Sequence, residues 1–398
     1  MKKELFSGIK IFFICIILLG LSPQLSDAVS TEHPRRIVVF KESFRKEANQ
    51  DTLLKNFGAV KIKRLNMINS TVAHLSPQAE KALRRKHEIL RIDEDIVISA
   101  LVKKDKGKHK PYQPPEKLPW GIQRISANLA WPVTTGSAIR VAILDTGIDL
   151  NHPDLQDNVK GYINLIRPHK SGNDNNGHGT HVAGIVAAVD NDIGVIGTGP
   201  DISLYAVKIL NKKGIGWLSD LIDALSWCIN NNMQVINMSF GSPDDNQSFY
   251  EAIIKVNQAG IVQVASAGNE GEVDGEIMYP AKYPETIAVS AIDRHSNFAS
   301  FSSYGPEIDL AAPGVNIKST YKKHSYKKLD GTSMSAAHVT GTVALILTTY
   351  PTWGYDTDGN VIWDPQEIKI KLKETAENLG LDSNQQGAGL VRADSAVY

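Results

Sequence analysis

The sequence contains very little cysteine, with only Cys15 and Cys228 in 398 residues. Cys15 lies in an N-terminal segment that we expect to be removed, so Cys228 has no partner for an intrachain disulfide. A chain without disulfides depends for its stability on its apolar core and on any bound metal. Apolar residues make up 42% of the chain, which is ordinary for a globular protein and sufficient for a sizeable core.

The chain also lacks net charge, with 43 basic and 43 acidic residues. This balance excludes the general basic footprint of a nucleic-acid-binding protein. The average hides a division: residues 29–101 have 14 Lys and Arg against 9 Asp and Glu, whereas residues 102–398 have 26 against 32. A basic small domain and an acidic large one should attract each other, although incidental composition would give the same figures.

Residues 1–28 are predicted to be a secretory signal peptide. Three lysines precede the apolar run Ile11–Leu21, and Ser26-Asp27-Ala28 provides the small residues that a signal peptidase reads. We therefore expect cleavage after Ala28, an extracellular protein and no stable membrane association. The alternative is an uncleaved anchor, for which the apolar run is short.

Residues 29–101 are predicted to form a small α+β domain. Apolar and polar residues alternate as in a β-α-β-β-α-β unit of the ferredoxin-like kind, with one last strand over the stretch ILRIDEDIVISALV. A helix is predicted to open at Ser76-Pro77 and to run to about Glu88. Residues 102–117, which are rich in lysine and proline, are predicted to be a linker.

Residues 118–398 are predicted to form an α/β domain. Short apolar runs at 139–145, 203–210, 234–241, 260–268 and 285–292 alternate with helical stretches such as LSDLIDALSWCINNNM. Continuous apolar strands separated by helices indicate a parallel sheet covered on both faces. In such sheets the functional residues gather at the carboxyl ends of the strands.

Three motifs in this domain contain residues suited to nucleophilic catalysis. The stretch VAILDTG ends a strand on Asp145, NNGHGTHVAG puts His178 at the start of a helix, and DGTSMSAAHV does the same for Ser333. Singly, these residues read as a strand-end cap, a turn histidine and a helix N-cap. Together they match a serine nucleophile, its histidine base and the carboxylate that orients the base. The free backbone N–H groups of a helix start also favour an oxyanion beside such a serine.

The chain resembles the subtilisin-like serine endopeptidases, which are secreted with an inhibitory prodomain. The likeness runs from about Leu118 to the C-terminus and includes INMSFG, ASAGNEG and FASFSSYGPEIDLAAPG. It implies a subtilisin-type sheet, Ser333 as nucleophile, His178 as base and Asp145 as its orienting partner. It also implies that Asn269 donates its side-chain amide to the oxyanion, and that peptides or proteins are the substrates of an expected monomer.

The resemblance further implies how peptides bind. The residues implied to line the main pocket are Ser239, Phe240, Gly241, Ala265, Gly268 and Met278. A methionine at the pocket floor would favour apolar side chains before the cleaved bond. The domain 29–101 resembles the family's prodomain, which implies autoprocessing between Leu101 and Val102 and inhibition by the cleaved tail. Glu94 and Asp95 are predicted to cap helices of the large domain.

Structural calcium is the one cofactor that the resemblance implies. The implied ligands are the side chains of Glu116, Asp154 and Asn191 and the carbonyls of Val189, Ile193 and Val195. Glu116 replaces a usual glutamine. Asp309, with the carbonyls of Ala281, Tyr283 and Thr286, resembles a weaker cation site. The segment 356–367 has acidic residues near EF-hand spacing, but DTDGN also reads as a hairpin turn.

Several competing interpretations remain at this stage. The HGTH stretch lacks the spacing of a zinc protease, so His181 and His338 are interpreted as packed helix residues. A single Asp-Thr-Gly argues against an aspartic protease, and the absence of G-x-S-x-G argues against an esterase of another fold. Ala337 stands where the family usually has proline, and the helix should persist through it. An inactive binding protein on the same fold is the remaining alternative.

Overall fold

The computed structural model describes residues 33–101, 111, 113–271, 274–351 and 354–398. The predicted signal peptide and most of the predicted linker, including Val102, lie outside the described residues. Within them, no helix has the length and apolar character needed to cross a membrane.

Residues 33–94 form an N-terminal domain of four strands and two α-helices. Its elements are β1 (Arg35–Phe40), α1 (Glu47–Asn56), β2 (Val60–Leu65), a 3₁₀ turn (Asn66–Ile68), β3 (Ser70–His74), α2 (Pro77–Leu83) and β4 (Ile89–Glu94). The strands form one antiparallel sheet in the order β2-β3-β1-β4. The predicted α+β order is therefore present, and α2 is shorter than expected. The Ser76 side chain caps α2 by accepting a hydrogen bond from the backbone N–H of Ala79.

The two faces of this sheet have different partners. One face forms a small core with α1 and α2, which includes Val38, Phe40, Leu54 and Leu83. The other face, with Ile37 and Val72 among its residues, belongs to the apolar layer of the large domain. The N-terminal domain is therefore docked through its sheet, because a sheet with two apolar faces must cover both.

The last predicted strand of this domain is in fact two strands. β4 ends at Glu94, and β5 (Val97–Ala100) leaves the small sheet. The chain turns between them because the Asp95 carboxylate accepts hydrogen bonds from the N–H and hydroxyl of Ser219, at 2.9 and 3.0 Å. β5 instead forms a three-stranded sheet with two strands of the large domain.

The large domain alternates strands and helices as predicted. Its strands are β6 (Arg140–Asp145), β7 (Val159–Asn164), β8 (Ser203–Lys208), β9 (Ile215–Trp217), β10 (Val235–Met238), β11 (Phe240–Gly241), β12 (Val262–Ser266), β13 (Thr286–Ile292), β14 (Leu310–Pro313), β15 (Ile317–Tyr321) and β16 (Ser325–Leu329). Its helices are α3 (Trp120–Arg124), α4 (Ala127–Ala130), α5 (His178–Ala187), α6 (Leu218–Asn230), α7 (Gln247–Gln258), α8 (Thr332–Ile346), α9 (Pro365–Glu374), α10 (Ser383–Gln386) and α11 (Ala393–Ala396).

Seven of these strands form a parallel sheet in the order β14-β13-β12-β10-β6-β8-β7. Successive strand residues point to opposite faces, so Val141 and Ile143 pack with α5 and α8, while Ala142 and Leu144 pack with α6 and α7. The sheet is therefore covered on both faces, which confirms the predicted fold class. β10 lies in the centre, beside β6.

Opposite charges meet where the two domains touch. Lys63 lies 2.6 Å from Asp220 and 2.8 Å from Asp223, both on α6. Arg91 lies 2.8 Å from Glu251 on α7. Asp93, not the exposed Glu94, accepts a hydrogen bond of 2.6 Å from the Ser248 hydroxyl in the first turn of α7. The charge division in the sequence therefore corresponds to real pairs across this interface.

Candidate active site

Asp145 and His178 meet at the carboxyl end of the central strands. Both are almost fully buried, and the His178 Nδ1 lies 2.9 and 2.8 Å from the two carboxylate oxygens of Asp145. The backbone N–H of Thr146 also donates to this carboxylate, at 2.6 Å. A carboxylate in this position favours the tautomer with hydrogen on Nδ1, which leaves Nε2 as an acceptor.

Two glycines allow this approach. Gly177 precedes α5 with a φ of 114°, and a Cβ there would lie 2.3 Å from the Tyr321 ring. A Cβ on Gly179 would lie 2.2 Å from the Gly147 carbonyl oxygen and 3.0 Å from the Asp145 Cβ. Larger residues at these positions would push α5 away from β6 and separate His178 from Asp145.

Ser333 lies in the first turn of α8, opposite the end of β10. Its hydroxyl is within hydrogen-bond distance of two carbonyl oxygens, that of Leu101 at 3.0 Å and that of Ser239 at 3.2 Å. Within the described residues, the Nε2 of His178 has no hydrogen-bond partner. The serine hydroxyl is thus directed at the end of the N-terminal domain's tail, and within the described residues no hydrogen bond joins it to His178.

Asn269 contacts the same carbonyl group from another direction. Its Nδ2 donates to the Leu101 carbonyl oxygen at 2.8 Å, and its Oδ1 accepts from the Thr332 N–H and hydroxyl, both at 3.0 Å. Thr332 therefore fixes which end of the amide faces Leu101. Sequence reasoning missed this role, although Thr332 stands directly before the serine that it had selected.

The tail of the N-terminal domain lies as a strand in a cleft of the large domain. β5 pairs antiparallel with β9 on one side, through Val97 with Trp217, and with β11 on the other, through Ala100 with Phe240. An extended peptide that adds to two free edges in this way is held by main-chain hydrogen bonds, whatever its side chains are. The chain passes the serine at Leu101, and Val102 lies beyond the described residues.

The Leu101 side chain is buried in a pocket that contains several of the predicted residues. A Cβ on Gly241 would lie 3.4 Å from its Cδ1 and 2.8 Å from the Met278 Cβ, and a Cβ on Gly268 would lie 3.3 Å from the Met278 Cγ. Phe240 takes part through its backbone, because its ring is fully buried in the core. Ala265 pairs with Met238 and Ala288 within the sheet.

The predicted calcium ligands converge on one loop beside α5. Asn191 connects the two acidic side chains, since its N–H donates to Glu116 at 2.7 Å and its Nδ2 donates to Asp154 at 3.2 Å. Asp154 also accepts from the Val195 N–H at 3.0 Å. The backbone of the loop is tied to Pro115 through Ile193, and its Val189 N–H donates to the Asp154 carbonyl oxygen at 3.1 Å.

The electrostatics of this loop fit a cation. Burial raises the pKa of Asp154 to about 7, and the nearby Glu116 carboxylate adds to the rise. Burial also raises the pKa of Glu116, with Asp190 and Asp192 contributing. No Lys or Arg forms an ion pair with either ligand carboxylate in the described part of the chain. Carboxylate, amide and carbonyl oxygens are the donors that Ca²⁺ prefers, so these residues fit the ion once the Asn191 amide turns its oxygen inward.

At Asp309, where the resemblance implies a weaker cation site, a lysine already supplies a positive charge. The Lys369 Nζ lies 2.8 Å from the Asp309 carboxylate, 2.8 Å from the Thr286 carbonyl oxygen and 3.2 Å from that of Pro284. Lys373 adds a second contact to Asp309, at 3.3 Å. Both lysines lie on α9, which begins within the unusual 356–367 segment.

That segment is not a hairpin, since residues 354–364 contain no strand. The acidic groups of Asp356, Asp358 and Glu367 lie close enough together to hold one ion. Glu367 is nevertheless fully engaged: it accepts from Thr357 at 2.6 Å and forms a capping box with Asp364 at the start of α9. Glu367 thus has a structural role at the start of α9, whereas the buried Oδ1 of Asp356 has no hydrogen-bond partner among the described residues.

The other titratable groups near the site are packed side chains, as expected. His181 and His338 are fully buried, and burial lowers their pKa values to about 3 and about 4. His181 Nε2 contacts the carbonyl oxygens of Ile317 and Lys327, at 3.0 Å each. Ala337 is buried inside an unbroken α8. Burial raises the pKa of the Cys228 thiol, so this cysteine is inert at neutral pH.

Comparison with known proteins places these features in a family. The sequence model of the Subtilase family matches residues 136–389. M-protease of Shouchella clausii (strain KSM-K16) is 37% identical over 394 residues, which cover 96% of each chain. Subtilisin E of Bacillus subtilis (strain 168) is 38% identical over 387 residues, 95% of this chain and 94% of its own. Subtilisin Savinase of Lederbergia lenta is 44% identical over 283 residues, 71% of this chain and 99% of its own. Since both the family match and these relatives extend over most of the molecule, this chain belongs to the subtilase family and is a serine endopeptidase.

Proposed function

We propose that the protein hydrolyses peptide bonds through Asp145, His178 and Ser333, with Asn269 as an oxyanion donor. His178 Nε2 takes the proton of the Ser333 hydroxyl as Oγ attacks the carbonyl carbon, and the Asp145 carboxylate stabilises the imidazolium that forms. The proton then passes to the leaving amine. Water reverses these steps to release the acid.

The Leu101 carbonyl is the observation that carries this proposal. Its oxygen accepts from the Asn269 amide at 2.8 Å, and the Ser333 hydroxyl lies 3.0 Å from the same oxygen. The serine hydroxyl and the Asn269 amide thus meet at one carbonyl group, which is where the proposed attack and the stabilisation of the oxyanion would take place. Loss of one such amide donor typically costs about 3–4 kcal/mol of transition-state stabilisation, a magnitude that comes from subtilisin itself.

Residues 29–101 are proposed to be an inhibitory propeptide, cut from the enzyme between Leu101 and Val102. The carboxyl tail of this segment occupies the cleft as β5, and its domain is docked by opposite charges and an apolar face. Such a product would stay bound and keep substrates out. Secretion is proposed as well, because the predicted signal peptide at residues 1–28 would direct this precursor out of the cell.

The substrate preference is proposed to be broad and apolar at the residue before the cut. Leu101 fills a pocket bounded by Gly241 and Met278, with no charged side chain among these contacts. Main-chain pairing on both sides of β5 supplies affinity that does not depend on sequence. A charged residue in this pocket would lose hydration without a partner.

Calcium is proposed to stabilise the fold at the loop 189–195. Glu116, Asp154 and Asn191, with carbonyls of Val189, Ile193 and Val195, would hold it. The ion would supply the positive charge that the buried Asp154 lacks. This loop directly follows α5, so the brace would keep His178 on its helix in place. We assign no catalytic step to the ion.

Processing of the precursor tests these proposals together. Wild-type precursor should yield a mature form beginning at Val102 or within residues 103–117, and an equimolar propeptide ending at Leu101. Ser333→Ala should remain at full length, and Asn269→Ala should mature far more slowly. Thr342→Ala, a buried helix threonine away from the cleft, serves as a folding control. Processing of Ser333→Ala by itself, or a mature form that fails to react with a serine-directed phosphonate, would contradict the mechanism and favour a binding protein on this fold.

A further inference from the structure

A strongly basic cavity lies beside the cleft and is not used by the mechanism above. It has a volume of about 610 Å³ and lies where β7 and β8 end. Its lining contains five cationic side chains and no acidic one: Arg167, Lys170, Lys208, Lys212 and Lys213. We call this the basic cavity.

Four of these cations have no partner in the described part of the chain. Arg167, Lys170, Lys212 and Lys213 are exposed, and no ion pair is formed by any of them. Lys208 differs, because it is buried and donates to the Thr146 carbonyl oxygen and to Asn175. Four positive charges around one concave surface repel each other unless an anion is bound among them.

The nearby acids cannot neutralise this surface. The Asp174 carboxylate already accepts four hydrogen bonds, from the N–H groups of Asn176, Gly177 and Thr180 and from the Thr180 hydroxyl, at 2.7 to 3.0 Å. Asp145 is held by His178 and the Thr146 N–H. Both are buried, whereas the four unpaired cations face solvent.

The segment that contributes Lys212 and Lys213 to the basic cavity continues directly to one position of the bound strand. This is the penultimate position, occupied here by Ala100, one residue before the carbonyl under attack. A Cβ on Gly214 would lie 3.3 Å from the Ala100 Cβ and 3.7 Å from the Asn176 Nδ2. Gly214 directly follows Lys213, and the Asn176 Nδ2 donates to the Lys212 carbonyl oxygen at 3.2 Å.

We propose that the basic cavity recognises an acidic side chain at the penultimate position of the substrate. This inference rests on the proposed peptidase function and specifies its substrate class: segments with Asp or Glu followed by an apolar residue at the cut. The side chain of Ala100 in the propeptide is too short to enter the cavity. A glutamate there would extend past Gly214 toward Lys212 and Lys213. The attraction adds to the apolar pocket that holds Leu101, because neighbouring strand residues point in opposite directions.

Paired peptides test this proposal on the mature enzyme. Two fluorogenic substrates differ only in glutamate or glutamine at the penultimate position, with leucine before the reporter. For the wild type, kcat/KM should be roughly fivefold higher for the glutamate peptide at low salt, the size expected of an ion pair near the surface. The ratio should approach one in Lys212→Gln/Lys213→Gln and at 1 M salt, where screening acts within about 3 Å.

Two controls separate the outcomes. Lys160→Gln/Lys328→Gln removes two exposed lysines outside the cavity and should keep the wild-type ratio. A ratio of one or less in the wild type, or a ratio unchanged in Lys212→Gln/Lys213→Gln, overturns the proposal, while cleavage of the glutamine peptide shows that the peptidase function still holds.

The cavity can also be tested without catalysis. In the Ser333→Ala precursor the strand stays in the cleft, so Ala100→Glu and Ala100→Gln place the two side chains directly beside the cavity. The glutamate variant should have the higher Tm, by about 1–2 °C, and the difference should vanish when Lys212 and Lys213 are both changed to glutamine. An equal or lower Tm would count against the cavity even if no peptide were ever cleaved.

Discussion

Two oxygen-rich sites in the large domain solve the same electrostatic problem in different ways. At the first, Asp154 is buried with Glu116 nearby, and among the described residues no Lys or Arg forms an ion pair with either carboxylate. At the second, Asp309 is buried with backbone carbonyls nearby, and the Lys369 ammonium lies 2.8 Å from its carboxylate. A cluster of oxygen atoms therefore does not by itself indicate a metal site. The decisive feature is whether another part of the fold brings in a positive charge.

The stability contributed by the first site should therefore depend on Ca²⁺ in the solution, and removing this ion should cause the largest loss of stability. We expect chelation of mature enzyme to lower stability by about 4 kcal/mol relative to saturating Ca²⁺, the gain expected at a thousand times the Kd. Thermal unfolding with EDTA and with graded Ca²⁺ measures this. Asp154→Asn should make the Tm less dependent on Ca²⁺. A wild-type Tm that is unchanged by chelator would contradict a calcium site at Asp154.

The second site should fail when its built-in cation is deleted. Lys369→Met keeps most of the length of the side chain but leaves Asp309 with the ammonium of Lys373 alone. We expect a loss of about 2–3 kcal/mol, since breaking a buried pair leaves an uncompensated charge. Urea unfolding measures the change. Lys369→Arg, which keeps the charge, and Lys255→Met, at a partly exposed lysine on α7, are the matched controls.

The Lys369→Met variant should also gain the ability to bind a cation at Asp309. With Lys369 gone, added Na⁺, K⁺ or Ca²⁺ should bind near Asp309 and restore part of the lost stability, about 1 kcal/mol at saturation. The wild type in the presence of fixed Ca²⁺ provides the reference. If every cation stabilises both proteins equally, the ammonium is not occupying a cation site.

The smallest effect on stability is expected at a carboxylate near the surface, where solvent weakens the ion pairs. Arg124 and Arg392 flank Glu377 at 2.8 Å each, and hydrogen bonding from Arg124 leads in lowering the pKa of Glu377 to about 2. A pKa below the unfolded value stabilises the fold above about pH 4.5, and this contribution is lost as the pH falls towards 2. Glu377→Gln should therefore cost at most about 1 kcal/mol at pH 7 and nothing near pH 2. A difference that persists at low pH would point to packing instead of charge.

The sequence predicted those features that follow from local pattern. The predicted runs at 139–145 and 285–292 differ from β6 and β13 by one residue at most, because buried parallel strands are continuous apolar segments with polar or glycine-containing ends. The motifs around Asp145, His178 and Ser333 were equally clear, since their residue types and turns are set by the local geometry of a strand end and two helix starts.

Long-range contacts escaped sequence reasoning. Lys369 is separated from Asp309 by 60 positions, and nothing distinguishes it in sequence from any other helix lysine. The break between β4 and β5 was missed for the same reason, because the Asp95 carboxylate there accepts hydrogen bonds from Ser219 in the other domain. Thr332 orients Asn269 across a similar gap of 63 positions.

The anchoring of Asp95 at α6 gives the tail of the N-terminal domain a fixed starting point. From there the chain runs as an extended strand, whose length per residue is constant, until Leu101 reaches Asn269. Because this length is constant, we expect the number of residues after Asp95 to determine which bond the strand presents to Ser333. Adding two residues between these points should shift the first cut by two positions and keep the strand facing the same way.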